Sequence, residues 1–272
     1  MQTHRLKLFY VIFVILALAL ASCTSSHFYT PNTVNLPTLS QRGDVILSGA
    51  IFIGESQSGW EAQAAYSPIK HVGLIANHIR LHYRGDTPLD EFPMPPISSR
   101  VEFAGQLRLT ELGAGFYQQA GKNQEYLLSL FGCVGKAQAN TTYRPFSAPL
   151  RETQWKFHRY TLQPGIRLHH QQLRFGTAFR LSLVQFTTGR IDARIPVQEL
   201  KRIELLKDHS PMLFLEVLWT MGYYLRPVLV SINTTGVALG NPSLNALGLA
   251  SNHVSLMASL NLHDLRKKIE KK

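Results

Sequence analysis

Carboxylates are scarce and cysteine is almost absent. Seventeen Asp and Glu face 28 Lys and Arg, for a formal net charge of +11, and the only cysteines are Cys23 and Cys133. Two cysteines allow at most one intramolecular disulfide, and none if Cys23 is committed elsewhere, so packing and hydrogen bonds must carry stability. No Gly-x-Ser-x-Gly elbow is present, and neither a P-loop nor a dinucleotide fingerprint occurs. Nucleophilic-serine and nucleotide chemistry, with their cofactors, are thereby disfavoured. The glycines of Gly113-Ala114-Gly115 lie inside a strand-like stretch, where they suit bending or close packing. The 11 histidines include His78 and His82, four apart, and the pair His169-His170, with His71 and His158 as possible neighbours. None shows the ligand spacing of a zinc site, so no metal is expected.

Long apolar runs are also missing after residue 21. Arg5 and Lys7 precede an unbroken run from Leu8 to Ala21, the length of a signal-peptide core and short for a membrane-spanning helix. It ends in Leu20-Ala21-Ser22-Cys23. These residues resemble the bacterial lipobox. The resemblance implies cleavage between Ser22 and Cys23, a diacylglyceryl thioether on Cys23 and acylation of the new amine, palmitate being the usual chain. Thr24 is not the aspartate that retains such lipoproteins in the inner membrane, so the resemblance implies an outer-membrane, periplasmic-leaflet anchor. Removing Arg5 and Lys7 with the leader lowers the net charge from +11 to about +9. For an exported chain, this balance points to phosphate-bearing lipids or acidic glycans as neighbours and not to nucleic acid.

Helical periodicity is rare too. From Gly43 onward the pattern is period 2, and ten strands are expected: 44–54, 59–67, 72–84, 106–120, 125–139, 157–169, 173–187, 212–225, 228–235 and 252–263. In the eighth, Leu213, Leu215, Val217, Trp219, Met221, Tyr223 and Leu225 share one face. Tight turns at 67–71, 121–124, 169–172 and 226–227 alternate with the links 55–58, 85–105, 140–156, 188–211 and 236–251. In a meander, every tight turn then falls at one end together with both termini, and the long loops at the other. Membrane β-barrels of bacteria have this asymmetry and an even strand number. A closed barrel also leaves no strand edge unpaired in hydrocarbon.

The expected fold is therefore all-β, an antiparallel up-and-down barrel of about ten strands (8–12). It comprises a signal peptide (1–22), a lipid-anchored tether (23–42), the barrel (43–263) and a basic tail (264–272). Tyr66, Phe116, Tyr117, Tyr126, Tyr223 and Tyr224 suit an aromatic girdle near the tight turns, and Trp155, Phe157, Tyr160 and Phe186 a second one opposite. Glu61, Glu111, Lys136, Arg167, Arg180 and Glu216 are expected to face the lumen as a polar cluster, because charge facing lipid is costly. Residues 196–207 read as a helix in an external loop. The final strand runs into a charged tail instead of ending on an aromatic residue, unlike the usual insertion signal of such barrels.

Tyr29-Thr30-Pro31-Asn32, Leu36-Pro37, Gly43, Gln63-Ala64-Ala65-Tyr66 and His71-Val72-Gly73-Leu74 resemble a group of uncharacterised lipoproteins, mostly of Bacteroidetes, with expected outer-membrane barrels. The likeness is strongest over residues 23–84 and implies fold and location, with no activity. The reading is a non-enzymatic outer-membrane β-barrel lipoprotein with a structural, adhesive or limited transport role, in contact with outer-membrane lipids and with its long loops facing outward. An alternative is a periplasm-facing, lipid-anchored barrel for a hydrophobic ligand, with Leu213, Leu215, Val217 and Trp219 lining its interior. A lipid-modifying barrel enzyme is a third reading, for which no catalytic spacing is evident.

Overall fold

The computed structural model describes residues 31–33, 35–53, 57–88, 100–144, 151–187, 189–190, 204, 208–239 and 253–269. The signal peptide, Cys23 and most of the 196–207 segment lie outside them; Glu204 is helical. Ten antiparallel strands among the described residues follow one another around a closed barrel. They are β1 (Val45–Ile53), β2 (Gln57–Ile69), β3 (Val72–Pro88), β4 (Arg100–Ala120), β5 (Tyr126–Arg144), β6 (Arg151–His170), β7 (Leu173–Thr187), β8 (Met212–Leu225), β9 (Val228–Leu239) and β10 (His253–Asn261). Closure comes from β1 against β10, in register from Ile46–Asn261 to Ile51–Leu256. The sheet therefore has no open edge, as the meander pattern requires.

The expected strands are all present, but β3 to β6 are longer than the sequence suggests. They run 17, 21, 19 and 20 residues. Much of the expected loops 85–105 and 140–156 is paired strand, with Pro88 opposite Arg100 and Tyr143 opposite Arg151. The reason lies in the side chains. On β5, Leu128, Leu130 and Val134 point outward and are exposed, whereas beyond Gly135 the outward positions are Lys136, Gln138, Asn140, Thr142 and Arg144. On β6 the outward side changes from Glu152, Gln154, Lys156 and His158 to Tyr160, Leu162 and Ile166. The inward side changes in the opposite sense, from Trp155 and Phe157 to Arg159, Thr161, Gln163 and Arg167. The strands thus keep their alternation while the outward side turns from apolar to polar at one level.

Below that level, all ten strands show large apolar side chains to the outside, from Leu47 on β1 to Leu256 on β10. On β5 the band spans Tyr126 to Val134. That is roughly 27 Å along the strand at ~3.4 Å per residue. Tyr66, Phe116, Tyr126 and Tyr223 lie outward near the tight turns, as expected. Tyr117 instead points inward, sharing a 2.7 Å hydrogen bond with the Ser67 hydroxyl, and Tyr224 is half-buried against Asp264. The second girdle is not formed. Trp155, Phe157 and Phe186 occupy inward positions and are buried, leaving Tyr160 alone on the outside.

The segment expected to be a basic tail begins as a helix, α1 (Leu262–Ile269), directly after β10. Asn261 caps it, its Oδ1 accepting from the backbone N–H of His263 (3.0 Å) and Asp264 (3.2 Å). Asp264 in turn accepts from the Tyr224 hydroxyl and from Arg226 Nη2 (2.9 Å), which ties the helix to the β8–β9 turn. Burial resists ionisation of Asp264, but these hydrogen bonds outweigh it and hold the carboxyl below its ordinary range. A depressed folded pKa stabilises above the unfolded value, ~3.9, and that contribution is lost as pH falls through the folded value. Amide exchange corrected for intrinsic rates is therefore expected to show α1 protected at pH 7 and released only below the ordinary aspartate range. Asp264→Asn should release it at pH 7; unchanged protection would contradict the tie.

Candidate functional site in the lumen

The barrel interior is filled in layers. At the long-loop end, Phe52, Leu81, Tyr83, Phe103, Trp155, Phe157, Phe186 and Phe214 belong to one apolar cluster. Its rings meet at centroid distances of 5.4 Å (Phe157–Phe186) and 6.5 Å (Phe103–Tyr143). At the tight-turn end, Ile46, Ile75, Tyr117, Leu127 and Phe131 form a second cluster together with Leu39. Between them lies a charged layer.

That layer contains Glu61, Glu111 and Glu216 with Arg159 and Arg180, all buried. Arg159 Nε sits 2.9 Å from Glu111 Oε1, and Arg180 Nη1 sits 3.0 Å from Glu216 Oε2. Gln63 donates to Glu61 at 2.8 Å, Ser182 donates to Glu216, and Arg180 Nε donates to Gln163 at 3.0 Å. The centre of this network comes from outside the sheet. Asn32 Oδ1 accepts from both Arg159 and Arg180, while its Nδ2 donates to Glu111 at 2.9 Å. Thr33 N donates to Glu61 at 2.9 Å, and Asn35 Nδ2 to Asn77 at 2.8 Å.

Residues 31–40, expected to be part of a solvated tether, therefore run through the lumen as a plug wherever they are described. Leu36 packs with Ala178 and Leu218, and Leu39 sits in the lower cluster. Space for Leu36 comes from Gly165, where a Cβ would stand 2.5 Å from its Cδ2. The plug ends in a turn closed by Asp44, whose carboxylate accepts from Ser40 N (2.7 Å), the Ser40 hydroxyl (2.8 Å) and Gln41 N (3.0 Å).

Of the charged residues expected in the lumen, five are there: Glu61, Glu111, Arg167, Arg180 and Glu216. Lys136 is not. It occupies an outward, exposed position on β5, just past the apolar band, where its charge avoids the cost of burial. Arg167 lies a layer below the network and pairs with no carboxylate among the described residues. With Asn35, Gln63 and Ser259 it lines a narrow cleft beside the plug. Arg159 and Asn32, the two residues that join the layer, were not singled out from the sequence. Parity offers a signal for Arg159, since it shares the face of Arg167 on β6. Asn32 lies in a stretch without periodicity and gives none.

Leu213, Leu215, Val217 and Trp219 face outward, Leu213 being 60% exposed, so they do not line a cavity. His78, His82 and His158 also face outward, and among the described residues no three His, Cys, Asp or Glu groups converge on a possible metal position. Cys133 is buried within the lower cluster with its thiol free. What the lumen can do chemically is hold its own N-terminal segment by opposed charges and amide hydrogen bonds.

Neither a known sequence family nor a curated protein matches the chain. Among solved structures it is similar to the N-terminal β-barrel domain of OprF from Pseudomonas aeruginosa, at 9% identity and a TM-score of 0.31, covering 82% of this chain and 99% of that one. It is similar as well to the COG4313 outer membrane channel of Pseudomonas putida F1 (7% identity, TM-score 0.41, 85% and 100% covered). A third likeness is to the outer membrane protease OmpT of Escherichia coli (9% identity, TM-score 0.38, 81% and 94% covered).

Proposed function

We propose that this chain is an outer-membrane β-barrel lipoprotein, anchored through Cys23 in the periplasmic leaflet, whose barrel spans the membrane with its lumen closed by residues 31–40. Its role is structural or adhesive, with the long-loop end facing outward, and it performs no catalysis. The supporting observation is the inversion of polarity along β3 to β6. Over one zone the outside is apolar while the inside holds the charged layer above a small apolar cluster; beyond it, the outside is polar and the inside apolar. In water, the lower zone would expose a continuous apolar belt on every strand, far beyond the patches soluble monomers carry. In a bilayer, that belt meets acyl chains and the ion pairs Arg159–Glu111 and Arg180–Glu216 stay inside.

Carbonate washing of membranes tests the insertion. The barrel should remain in the pellet even as Cys23→Ser, and its gel mobility should shift on boiling; release of the unacylated variant by carbonate would overturn the reading. Metabolic labelling with an alkynyl fatty acid should mark the wild type and leave Cys23→Ser unmarked. In planar bilayers the wild type is expected to give no steady conductance. Steady conductance of the wild type would show a pore in place of a plug.

A further inference from the structure

The outward face just above the apolar band is cationic, and it is so in register. Across β3, β4, β5 and β6, His78, Thr110, Lys136 and His158 stand opposite one another. One row farther out come Arg80, Arg108, Gln138 and Lys156. The next is His82, Gln106, Asn140 and Gln154. These three rows contain no Asp or Glu; farther out on these strands, Glu152 and Glu102 are exposed. With strands ~4.8 Å apart and rows ~6.8 Å apart, the four cations lie on a shelf roughly 14 Å wide.

Two features make this more than a solvated basic face. Arg80 and Arg108 are directly opposed on one face, an arrangement that is destabilising unless something negative lies between or above them. Arg80 donates to Gln106 at 3.2 Å, and among the described residues Arg108, Lys136 and Lys156 pair with no carboxylate. Immediately below the shelf, the row Ala76, Leu112, Val134 and Tyr160 is apolar. At its side, Trp60 lies outward opposite Arg80, its ring centroid 5.4 Å from that of His78, in the position of an interfacial tryptophan. A ligand that meets both zones has anionic groups and hydrocarbon in one molecule.

We propose that this shelf is a binding site for the phosphate groups of lipid headgroups in the leaflet nearest the long loops, Arg80, Arg108, Lys136 and Lys156 holding the phosphates and Leu112, Val134 and Tyr160 the chains. The site rests on the membrane-spanning reading above. Each basic side chain near a charged lipid surface contributes about fivefold in affinity.

The test uses the full chain in phosphatidylcholine nanodiscs doped with diphosphorylated lipid A or with its dephosphorylated form, followed by native mass spectrometry of retained lipid. The wild type should retain the phosphorylated lipid preferentially. The variant Arg80→Gln/Arg108→Gln/Lys136→Gln/Lys156→Gln should lose that preference by at least about a hundredfold, while Arg84→Gln/Arg144→Gln, farther out, should keep it. All four substitutions of the first variant lie on the outward face, and a preserved mobility shift on boiling certifies its fold. Equal retention of both lipids by the wild type, or undiminished preference in the fourfold variant, overturns the site. Tight binding of soluble dextran sulfate with no lipid preference would assign the shelf to acidic glycans and overturn it too. Failure of the wild type to enter undoped nanodiscs would instead bring down the membrane-spanning reading, and this site with it.

Discussion

Arg180→Met is expected to destabilise the folded barrel by ~3–5 kcal/mol, the cost of removing one member of a buried ion pair and leaving the other charged. Arg180 is buried, with Nη1 3.0 Å from Glu216 and further bonds to Gln163 and to Asn32 of the plug. Methionine fills much of the volume and supplies none of those donors. Arg180→Met/Glu216→Gln should recover most of the loss, because the remaining amide can bond without carrying charge. Urea unfolding in lipid vesicles, followed by tryptophan fluorescence and gel mobility, measures both. A loss below ~1 kcal/mol for the single variant would mean that water reaches the layer, and that the plug does not seal it.

A second large effect depends on height and not on chemistry. Leu130→Arg places a guanidinium on the outward face in the middle of the apolar band, where Leu130 is 45% exposed. Charge facing lipid at mid-depth costs ~2–4 kcal/mol. Asn140→Arg puts the same side chain on the same face of β5 ten residues farther along, above the band. It should change stability by less than ~0.5 kcal/mol. The pair isolates membrane depth from strand propensity, since both positions lie on one face of the same strand, equally far from its ends. Equal effects at the two positions would contradict a bilayer-spanning lower zone.

The difference between Leu130 and Asn140 also shows what the sequence displayed and what it concealed. Alternation identified ten strands and four tight turns because a period of two survives whichever face is apolar. It does not carry the strands through Gly85–Pro88 or Asn140–Arg144, because the outward side is already polar from His78 and Lys136 onward and apolarity no longer marks it. The same change misplaced Trp155, Phe157 and Phe186. As aromatics near an interface they read as a girdle, yet their positions on β6 and β7 turn them inward. Lys136 departs for the converse reason: a lysine on a strand points to the lumen only where the outer face is apolar, and the band ends at Val134.

The plug was concealed more deeply. Asn32 and Thr33 gain their meaning from Glu61, Glu111, Arg159 and Arg180, which are 28 to 148 residues away in the chain. A polar segment containing Pro31 and Pro37 has the composition of a tether, and nothing local separates a solvated strand of chain from one whose amides are claimed by distant carboxylates. The tight-turn aromatics Tyr66, Phe116, Tyr126 and Tyr223 were legible because position and composition agreed there. Tyr117 departs from them by parity alone, one residue past an outward Phe116.

The measurement that bears most directly on the barrel's placement is a nitroxide scan along β5 in lipid vesicles, on a Cys133→Ala background. Labels at Leu128, Leu130 and Val134 should collide with oxygen and resist a water-soluble nickel chelate. At Gln138, Asn140 and Thr142 the preference should reverse, with the crossover at Lys136. Chelate access at Leu128 through Val134 equal to that at Asn140 would show that the apolar belt does not meet hydrocarbon, and would contradict the account.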